Sequence, residues 1–416
     1  MAETFQDSRR AAEPGSAPSS GSIKGLDWFN FFLGDIQTGF GPFIAVYLVT
    51  QKWTQTEIGL ILSIGALASL LSQVPGGALV DSIRSERWAA GGAIAAIGFS
   101  AFLIAVVPLF AAVAQARIVQ ATATSVLGPA IAAITLGLIG RRRLAARLGR
   151  NARFASAGNG VAAVIMGAFG HFISAQAVFF VTAAFAVPAL AALFHVRQDE
   201  IDPANCHGGV ADERTSSAVA GLALLLRRRS LWVFIGGIIF FQMANAPMLP
   251  LAGTQLTMEA GSWAVAAIAA CVVLPQFLVA IFSPWVGKLA HSIGRRPLLL
   301  AALGVLPVRG VLFAFFAAPG PIIAVQLLDG VSASVLGVLI PLVIADISFG
   351  TGHFNLAQGV VGMATGLAAA ISTSAAGFLA DRFGDHFTFL TLAVTAGCGF
   401  MLLALAMPET RPSEEE

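Results

Sequence analysis

GALVDSIRSER (Gly77–Arg87) and GKLAHSIGRRP (Gly287–Pro297) are two versions of one pattern, set 210 positions apart. Each opens on glycine, places an ionisable group at its fifth position (Asp81, His291) and carries charge near its end. A second pair obeys almost the same spacing. ATSVLGPAIAAIT (123–135) repeats as ASVLGVLIPLVIA (333–345), with the shared SVLG starting at Ser125 and Ser334, an offset of 209. A near-constant offset across separated matches is hard to obtain from shared composition. It predicts two duplicated halves with a path between them near the midplane.

The solvent of those halves follows from composition. The 416 residues are 57% hydrophobic and 11% charged, whereas a soluble domain carries about 25% charged residues. Mean hydropathy is +0.82. Apolar runs long enough to cross ~30 Å of hydrocarbon occur at 27–50, 56–80, 88–108, 110–139, 151–171 and 175–196. They resume at 230–253, 262–286, 298–317, 320–345, 355–380 and 386–407. Helices are expected, because lipid-exposed backbone must satisfy its own hydrogen bonds. The expectation is an all-α membrane protein with twelve transmembrane helices in two pseudo-symmetric six-helix bundles. Residues 1–24 form a disordered tail, 25–196 the first bundle, 197–229 a linker, 230–408 the second bundle and 409–416 a tail.

Charge placement fits that count. With the N-terminus in the cytoplasm, 20 of the 24 Lys and Arg fall on the cytoplasmic side. They include Arg141–Arg143, Arg147, Arg150 and Arg153 between spans 4 and 5, and Arg227–Arg229 before span 7. Only Lys52 and Arg382 fall outside, while Arg117 and Arg309 lie within spans. This is the positive-inside asymmetry. The acidic linker 197–217 reads as a hinge, and the stretch 219–226 as an interfacial helix. Cys206, Cys271 and Cys398 have no paired spacing, so no disulfide framework or metal site follows. The absence of a phosphate-binding Gly-rich loop leaves no support for ATP drive.

On these residues the chain resembles the major facilitator superfamily across 25–408. The family's loop between helices 2 and 3 reads Gly-x-Leu-Ala-Asp-Arg-x-Gly-Arg-Lys/Arg. Gly77, Leu79 and Asp81 match it before the sequence departs at Ser82, Arg84 and Glu86. The second copy keeps Gly287, Leu289, Ala290, Gly294, Arg295 and Arg296 but has His291 for the acid. A third, partial copy (Gly377, Leu379, Ala380, Asp381, Arg382, Gly384) ends span 11. The resemblance implies an alternating-access porter whose loop residues Gly77, Asp81, Gly287, Gly294, Arg295 and Arg296 latch the cytoplasmic side. Glycine permits close helix approach, and a helix-end Asp can pair with Arg or cap a helix N-terminus. The bland alternative makes Arg295 and Arg296 topology determinants only.

Asp35, in GDIQTGFGPF (34–43), is the least expected residue of span 1. At 100° per residue, Phe29, Phe32, Leu33, Ile36 and Phe40 share one arc; Asn30, Gly34, Asp35, Gln37 and Thr38 share the other. An intramembrane carboxylate costs at least ~2.5 kcal/mol, so a protein- or water-facing role is expected. Span 4 carries a stripe of Arg117, Ala121, Thr124, Gly128 and Thr135. Arg117 and Gln120 match a motif of proton-coupled exporters in the resembling family, with Ala121 where that family has Gly. The family's packing places spans 1, 4, 7 and 10 around the cavity. That arrangement implies Asn30, Gln37, Thr38, Gln120, Thr124, Gln242, Asn245 and Gln326 as cavity candidates. Asp35 with Arg117, and Asp329 with Arg309, are the candidate proton-coupling pairs. A carboxyl that gains and loses an Arg neighbour changes its proton affinity; alternatively, both pairs are static stitches between helices. Span 5 lacks the Gly-Pro motif of proton-driven exporters and carries Gly160, Gly167 and Gly170 as candidate packing residues.

The expected function is secondary active transport of a small, amphiphilic organic solute, with proton-coupled efflux first and uptake or uniport as the alternative. A non-transporting receptor is a third reading. No catalytic constellation, cofactor, metal or nucleic-acid site is expected. The expected partners are the solute, protons and the lipid bilayer, for a monomer in a bacterial inner membrane with both termini cytoplasmic.

Overall fold

The computed structural model describes residues 18–38, 42–83, 85–207, 227–259 and 264–411, with Ala223 and Leu225. Residues 208–217 of the acidic hinge and most of the proposed interfacial helix lie outside the described residues. Helices account for the fold, with no strand among the described residues. The first half contains α1 (Ser20–Thr38), α2 (Pro42–Thr50), α3 (Gln55–Ser82), α4 (Glu86–Val106), α5 (Phe110–Ile139), α6 (Leu144–Phe172) and α7 (Ala175–Phe194). A short α8 (Pro203–Cys206) follows. The second half contains α9 (Arg229–Glu259), α10 (Ala264–Ser292), α11 (Arg295–Phe315), α12 (Pro319–Ser348), α13 (Phe354–Phe383) and α14 (Asp385–Ala406).

Ten described helices are long and apolar enough to span a bilayer: α3, α4, α5, α7 and α9 to α14. The two remaining crossings have identifiable reasons for missing that threshold. The run 27–50 is divided between α1 and α2, and Pro42 opens the second piece; proline is favoured at a helix start because its missing N–H has no helical acceptor there. The buried Tyr47 fixes α2 by donating to the Ile104 and Ala105 carbonyls of α4, each at 3.2 Å. The other crossing, α6, begins seven residues before the apolar run 151–171, and its added turns carry Arg147 and Arg150. The helices also outrun the apolar segments elsewhere: α12 and α13 have 30 residues each, ~45 Å at 1.5 Å per residue.

Packing repeats between the halves. In the first lobe α3 and α4 pack on α5, α1 on α6 and α7, and α4 on α7. The second lobe repeats this with α10 and α11 on α12, α9 on α13 and α14, and α11 on α14. The lobes meet mainly through α3 with α13 and α6 with α10. A Cβ at Gly77 would strike the Asn355 carbonyl, and one at Gly287 the Ala145 carbonyl; Gly149 and Gly359 stand likewise against Ser283 and Gln73. These two α3–α13 contacts map onto the two α6–α10 contacts when each residue is displaced by 210 positions. The sequence repeat is therefore a two-fold relation of the joint itself.

This joint lies at the end that carries Arg141–Arg143, Arg147, Arg150, Arg227–Arg229, Arg295 and Arg296, hereafter the basic end. Contact between α3 and α13 runs from Gly77–Asn355 to Leu70–Gly366. Beyond it, Leu60, Leu62 and Leu67 on one side and Leu367, Ile371 and Phe378 on the other are exposed. The close backbone approaches between the lobes thus gather at the basic end among the described residues.

Inside the first lobe, the close contact of α1 with α6 is made at Gly158, where a Cβ would strike the Phe31 carbonyl. Of the expected packing residues, Gly160 and Gly167 face open space, while Gly170 stands against Val178 of α7. Gly158→Leu is expected to destabilise by about 1–3 kcal/mol through overpacking and to lower the thermal midpoint of the detergent-solubilised protein. Gly160→Ala should not lower it and, by helix propensity, should raise it slightly. Equal midpoints for the two variants would refute the assignment.

Candidate functional site

The densest polar cluster within the second lobe is centred on Arg309 of α11. This side chain is 1% exposed, among the largest fully buried residues. Its Nη1 donates to Asp329 Oδ1 and Asn245 Oδ1, each at 2.6 Å, and its Nη2 donates to Gln326 Oε1 at 3.0 Å. Three helices converge: α11 supplies the cation, α12 the Asp and Gln, three residues apart on one face, and α9 the Asn. A buried guanidinium needs such partners, because an uncompensated charge costs several kcal/mol. Gln326 is buried, whereas the Asp329 side chain keeps 27% of its surface. The cluster therefore couples a dry cation to a carboxylate that retains access.

The first lobe presents a polar row on α5. Arg117 Nη1 donates to Gln120 Oε1 at 2.7 Å, Gln120 Nε2 to Thr124 Oγ1 at 3.2 Å, and Thr124 Oγ1 to the Gln120 carbonyl at 2.8 Å. The guanidinium lies over Gly65 of α3, where a Cβ would come within 2.8 Å of Nε. Asp35, Gln37 and Thr38 belong to α1, but their side chains lie outside the described residues. Asn30 is buried and donates to the Leu26 carbonyl of its own helix at 2.7 Å. Gln242 and Asn245 of α9 are partly exposed. Thr135, at the end of the α5 stripe, is buried and accepts from Asn151 Nδ2 at 2.9 Å.

The basic-end residues divide unexpectedly. Asp81 Oδ1 accepts from Asn355 N at 3.2 Å and Nδ2 at 2.8 Å, and Oδ2 accepts from Leu356 N at 2.8 Å. It therefore caps α13, a helix of the opposite lobe that has no cap from its own N-cap side chain. Loss of the neighbouring basic residues at Ser82 and Glu86 does not matter for this role, since the partners are backbone N–H groups and the helix dipole. Arg295 and Arg296 remain in their own lobe. Arg295 Nε meets Asp346 Oδ2 at 3.0 Å and Nη1 the Ala290 carbonyl at 2.9 Å; Arg296 Nη2 donates to the Ala404 carbonyl at 2.6 Å. The arginine that crosses between lobes is Arg141, 3.5 Å from Asp346 and with its guanidinium carbon 4.0 Å from the Phe349 ring centroid. Gly294, at φ 96°, makes the turn into α11. The first backbone N–H groups of α11, on Arg295 and Arg296, are received by Glu409 at 2.8 and 3.1 Å. Burial pushes the Glu409 carboxyl up, but N–H donation from Arg295, Arg411, Arg296 and Thr410 outweighs it, and its pKa lies below the usual glutamate value.

A second ionic cluster escaped the reading of the sequence. Asp27 of α1 is buried; Arg150 of α6 grips it through Nε (2.9 and 3.0 Å) and Nη2 (2.6 Å), and Arg147 Nη2 approaches at 2.9 Å. Arg147 Nε then donates to Asn151 Oδ1 at 2.8 Å. The signal was present: Arg147, Arg150 and Asn151 fall three and four residues apart, on one helical face. Their interpretation as topology charges hid it. A separate groove of about 430 Å³ between α3, α4 and α5, lined by Leu79, Ile83, Trp88, Ala96, Ile118 and Val119, contains none of these charged groups.

A family model for the Major Facilitator Superfamily matches residues 28–319 and 242–416. The chain belongs to the Major Facilitator Superfamily. It is 36% identical over 396 residues, 94% of each chain, to an uncharacterized MFS-type transporter of Mycobacterium tuberculosis, found in strains CDC 1551 and H37Rv. Among solved structures, a human organic anion transporter superposes with TM-score 0.74 at 16% identity, over 93% of this chain and 100% of that one. The E. coli fucose:proton symporter superposes with TM-score 0.76 at 15% identity, over 92% and 98%. A structure of that symporter in its outward conformation gives 0.73 at 15% identity. These similarities establish a multi-pass membrane transporter fold.

The Asp27 cluster yields a stability test. Asp27→Asn leaves Arg147 buried without its counter-charge, and a loss of about 3–5 kcal/mol is expected. Thermal unfolding monitored by size-exclusion fluorescence should show a clear drop. An unchanged midpoint would mean that the cluster is solvated.

Proposed function

We propose that this protein is a proton-coupled porter that expels a small amphiphilic organic solute by alternating access between its two lobes. The observation that carries this reading is the Arg309–Asp329 pair: a fully buried cation bonded to a carboxylate with a quarter of its surface accessible. Protonation of Asp329 removes half of the ion pair and leaves Arg309 to Asn245 and Gln326. Solute or water entering beside Asp329 therefore changes the balance between its charged and neutral forms. Asp35 and Arg117 are the corresponding pair proposed for the first lobe. Gln120, Thr124, Gln242 and Asn245 supply amides and a hydroxyl for the polar part of a solute.

Placing the basic end in the cytoplasm follows the positive-inside rule; on that placement the joint closes the cytoplasmic side, as an outward-facing state requires. The mycobacterial relatives favour a bacterial plasma membrane. Asp81 on α13 and Arg141 on Asp346 and Phe349 are the cytoplasmic latch, with Gly77 and Gly287 permitting the lobes to close. Uptake by symport is the second reading, favoured by the fold shared with a fucose:proton symporter; it uses the same residues with the opposite net direction.

A thermal-shift screen against drug-like compounds and metabolites would supply a ligand. In proteoliposomes enclosing a pH dye, the wild type should move protons when that ligand is added. Asp329→Asn and Asp35→Asn should each keep ligand stabilisation within a few-fold and lose gradient-driven flux. Gradient-driven flux at the wild-type rate would remove the altered residue from the coupling mechanism.

A further inference from the structure

We propose that the segment Asp202–His207 is a proton-operated strap: a proton held at His207, between Asp81 and Glu86, keeps the basic end of the lobes shut. This rests on the alternating-access reading and adds a regulatory site outside the solute path.

The strap is docked on both lobes. Asp202 N donates to the Gly137 carbonyl of α5 at 3.1 Å, and the buried Cys206 fills the space beside Gly137. Across the joint, Phe354 N of α13 donates to the His207 carbonyl at 3.3 Å, and Asn355 Nδ2 to the Cys206 carbonyl at 3.3 Å. The two orphan N–H groups at Asn355 and Leu356 go to Asp81. The first turn of α13 is thus capped by the strap and by α3 together.

The imidazole sits in an acidic pocket. His207 Nδ1 is 3.5 Å from Asp81 Oδ1, and Nε2 is 3.5 Å from Glu86 Oε1. Glu86 is 2% exposed. Neither Glu86 Oε1 nor His207 Nδ1 has a hydrogen-bond partner among the described residues. A buried carboxylate oxygen beside a ring nitrogen calls for a shared proton. The charged groups that act on the ring are Asp81 from α3 and Glu86 from α4, and the strap brings the adjoining Cys206. From α13 the first turn brings the neutral Phe354 and Asn355, preceded by His353. Arg87 of α4 turns away to the Val196 carbonyl at 2.7 Å. Burial, then the charges of Glu86 and Asp202, push the Cys206 thiol up, so it stays protonated. The His207 pKa is raised by Asp81 first; burial opposes this, and the Asp81 and Glu86 charges add to the rise.

The geometry gives the coupling its sign. Separating α13 from α3 breaks the bonds from Phe354 and Asn355 that seat the strap, and water reaches Glu86. The proton affinity of His207 then falls toward that of a free imidazole, near pKa ~6.5. A ligand stabilises the state that binds it more tightly, here with a proton as ligand and the shut state as the tighter binder. This contribution is fully present below the ordinary imidazole value and fades as pH rises through the raised one.

The test is a distance measurement on the full chain in nanodiscs. Spin labels go on Gln51→Cys and Ala318→Cys, exposed loop positions at the end opposite the joint, with Cys398→Ser removing the exposed native thiol. The two states should appear as long and short distances. Between about pH 6 and pH 9 the long-distance population, shut at the basic end, should decline, by up to roughly tenfold in ratio for each pKa unit separating the states. His207→Gln should flatten the dependence, and Glu86→Gln should move its midpoint to lower pH. Two populations with no pH response, a response of opposite sign, or a wild-type response in His207→Gln would each overturn the strap alone. A single distance at every pH, with or without ligand, would overturn alternating access and the strap with it.

Discussion

A guanidinium inside a bilayer must be paired, and Arg309 shows what that requirement imposes. Its three acceptors come from two other helices, so α9, α11 and α12 are bound together around one charge. The energetic case for such a cluster is not that it outperforms an apolar core, which buried ion pairs seldom do. It specifies one arrangement of helices and leaves a carboxylate at the edge of the gap. Asp27 with Arg147 and Arg150 imposes the same constraint on α1 and α6, but under the basic end. Each lobe therefore has an ionic fastening, and the two are not equivalent by the internal repeat.

That inequality extends to the joint. Backbone approach at Gly77, Gly149, Gly287 and Gly359 follows the two-fold relation, because close helix packing depends on small residues rather than on charge. The polar contacts break it. Asp81 caps α13 across the joint, whereas the equivalent position on α10 is the exposed His291, and α6 has no side-chain cap at its start. The α6–α10 side instead adjoins the Arg141 contact with Asp346 and Phe349. The scaffold is duplicated, while the fastenings that hold it shut are individual.

The fold was legible because its determinants are one-dimensional: apolar run length, basic asymmetry and a repeat offset. The helix ends were less so. Turns such as those carrying Arg147 and Arg150 lie outside hydrocarbon and leave no hydropathy signal. The Arg309–Asp329 association followed from comparable depth on adjacent spans. The destination of Arg295 and Arg296 did not, since a loop arginine reaches either its own lobe or the other with the same sequence. The sequence does not choose between an Arg partner and a helix cap for Asp81: a carboxylate capping a helix needs backbone N–H groups, which every sequence has, and not a basic partner. Cross-lobe contacts made by backbone leave little trace in residue identity.

The turn at Gly294 carries a practical consequence for anyone trimming the chain. Glu409 lies three residues beyond the end of α14, in a stretch that looks expendable, yet its carboxylate receives the first N–H groups of α11 as well as those of Thr410 and Arg411. A shortened version ending at Met407 would remove a cap of about 1 kcal/mol from a helix more than a hundred residues upstream. Affinity tags are better appended after Arg411 than substituted for the residues before it.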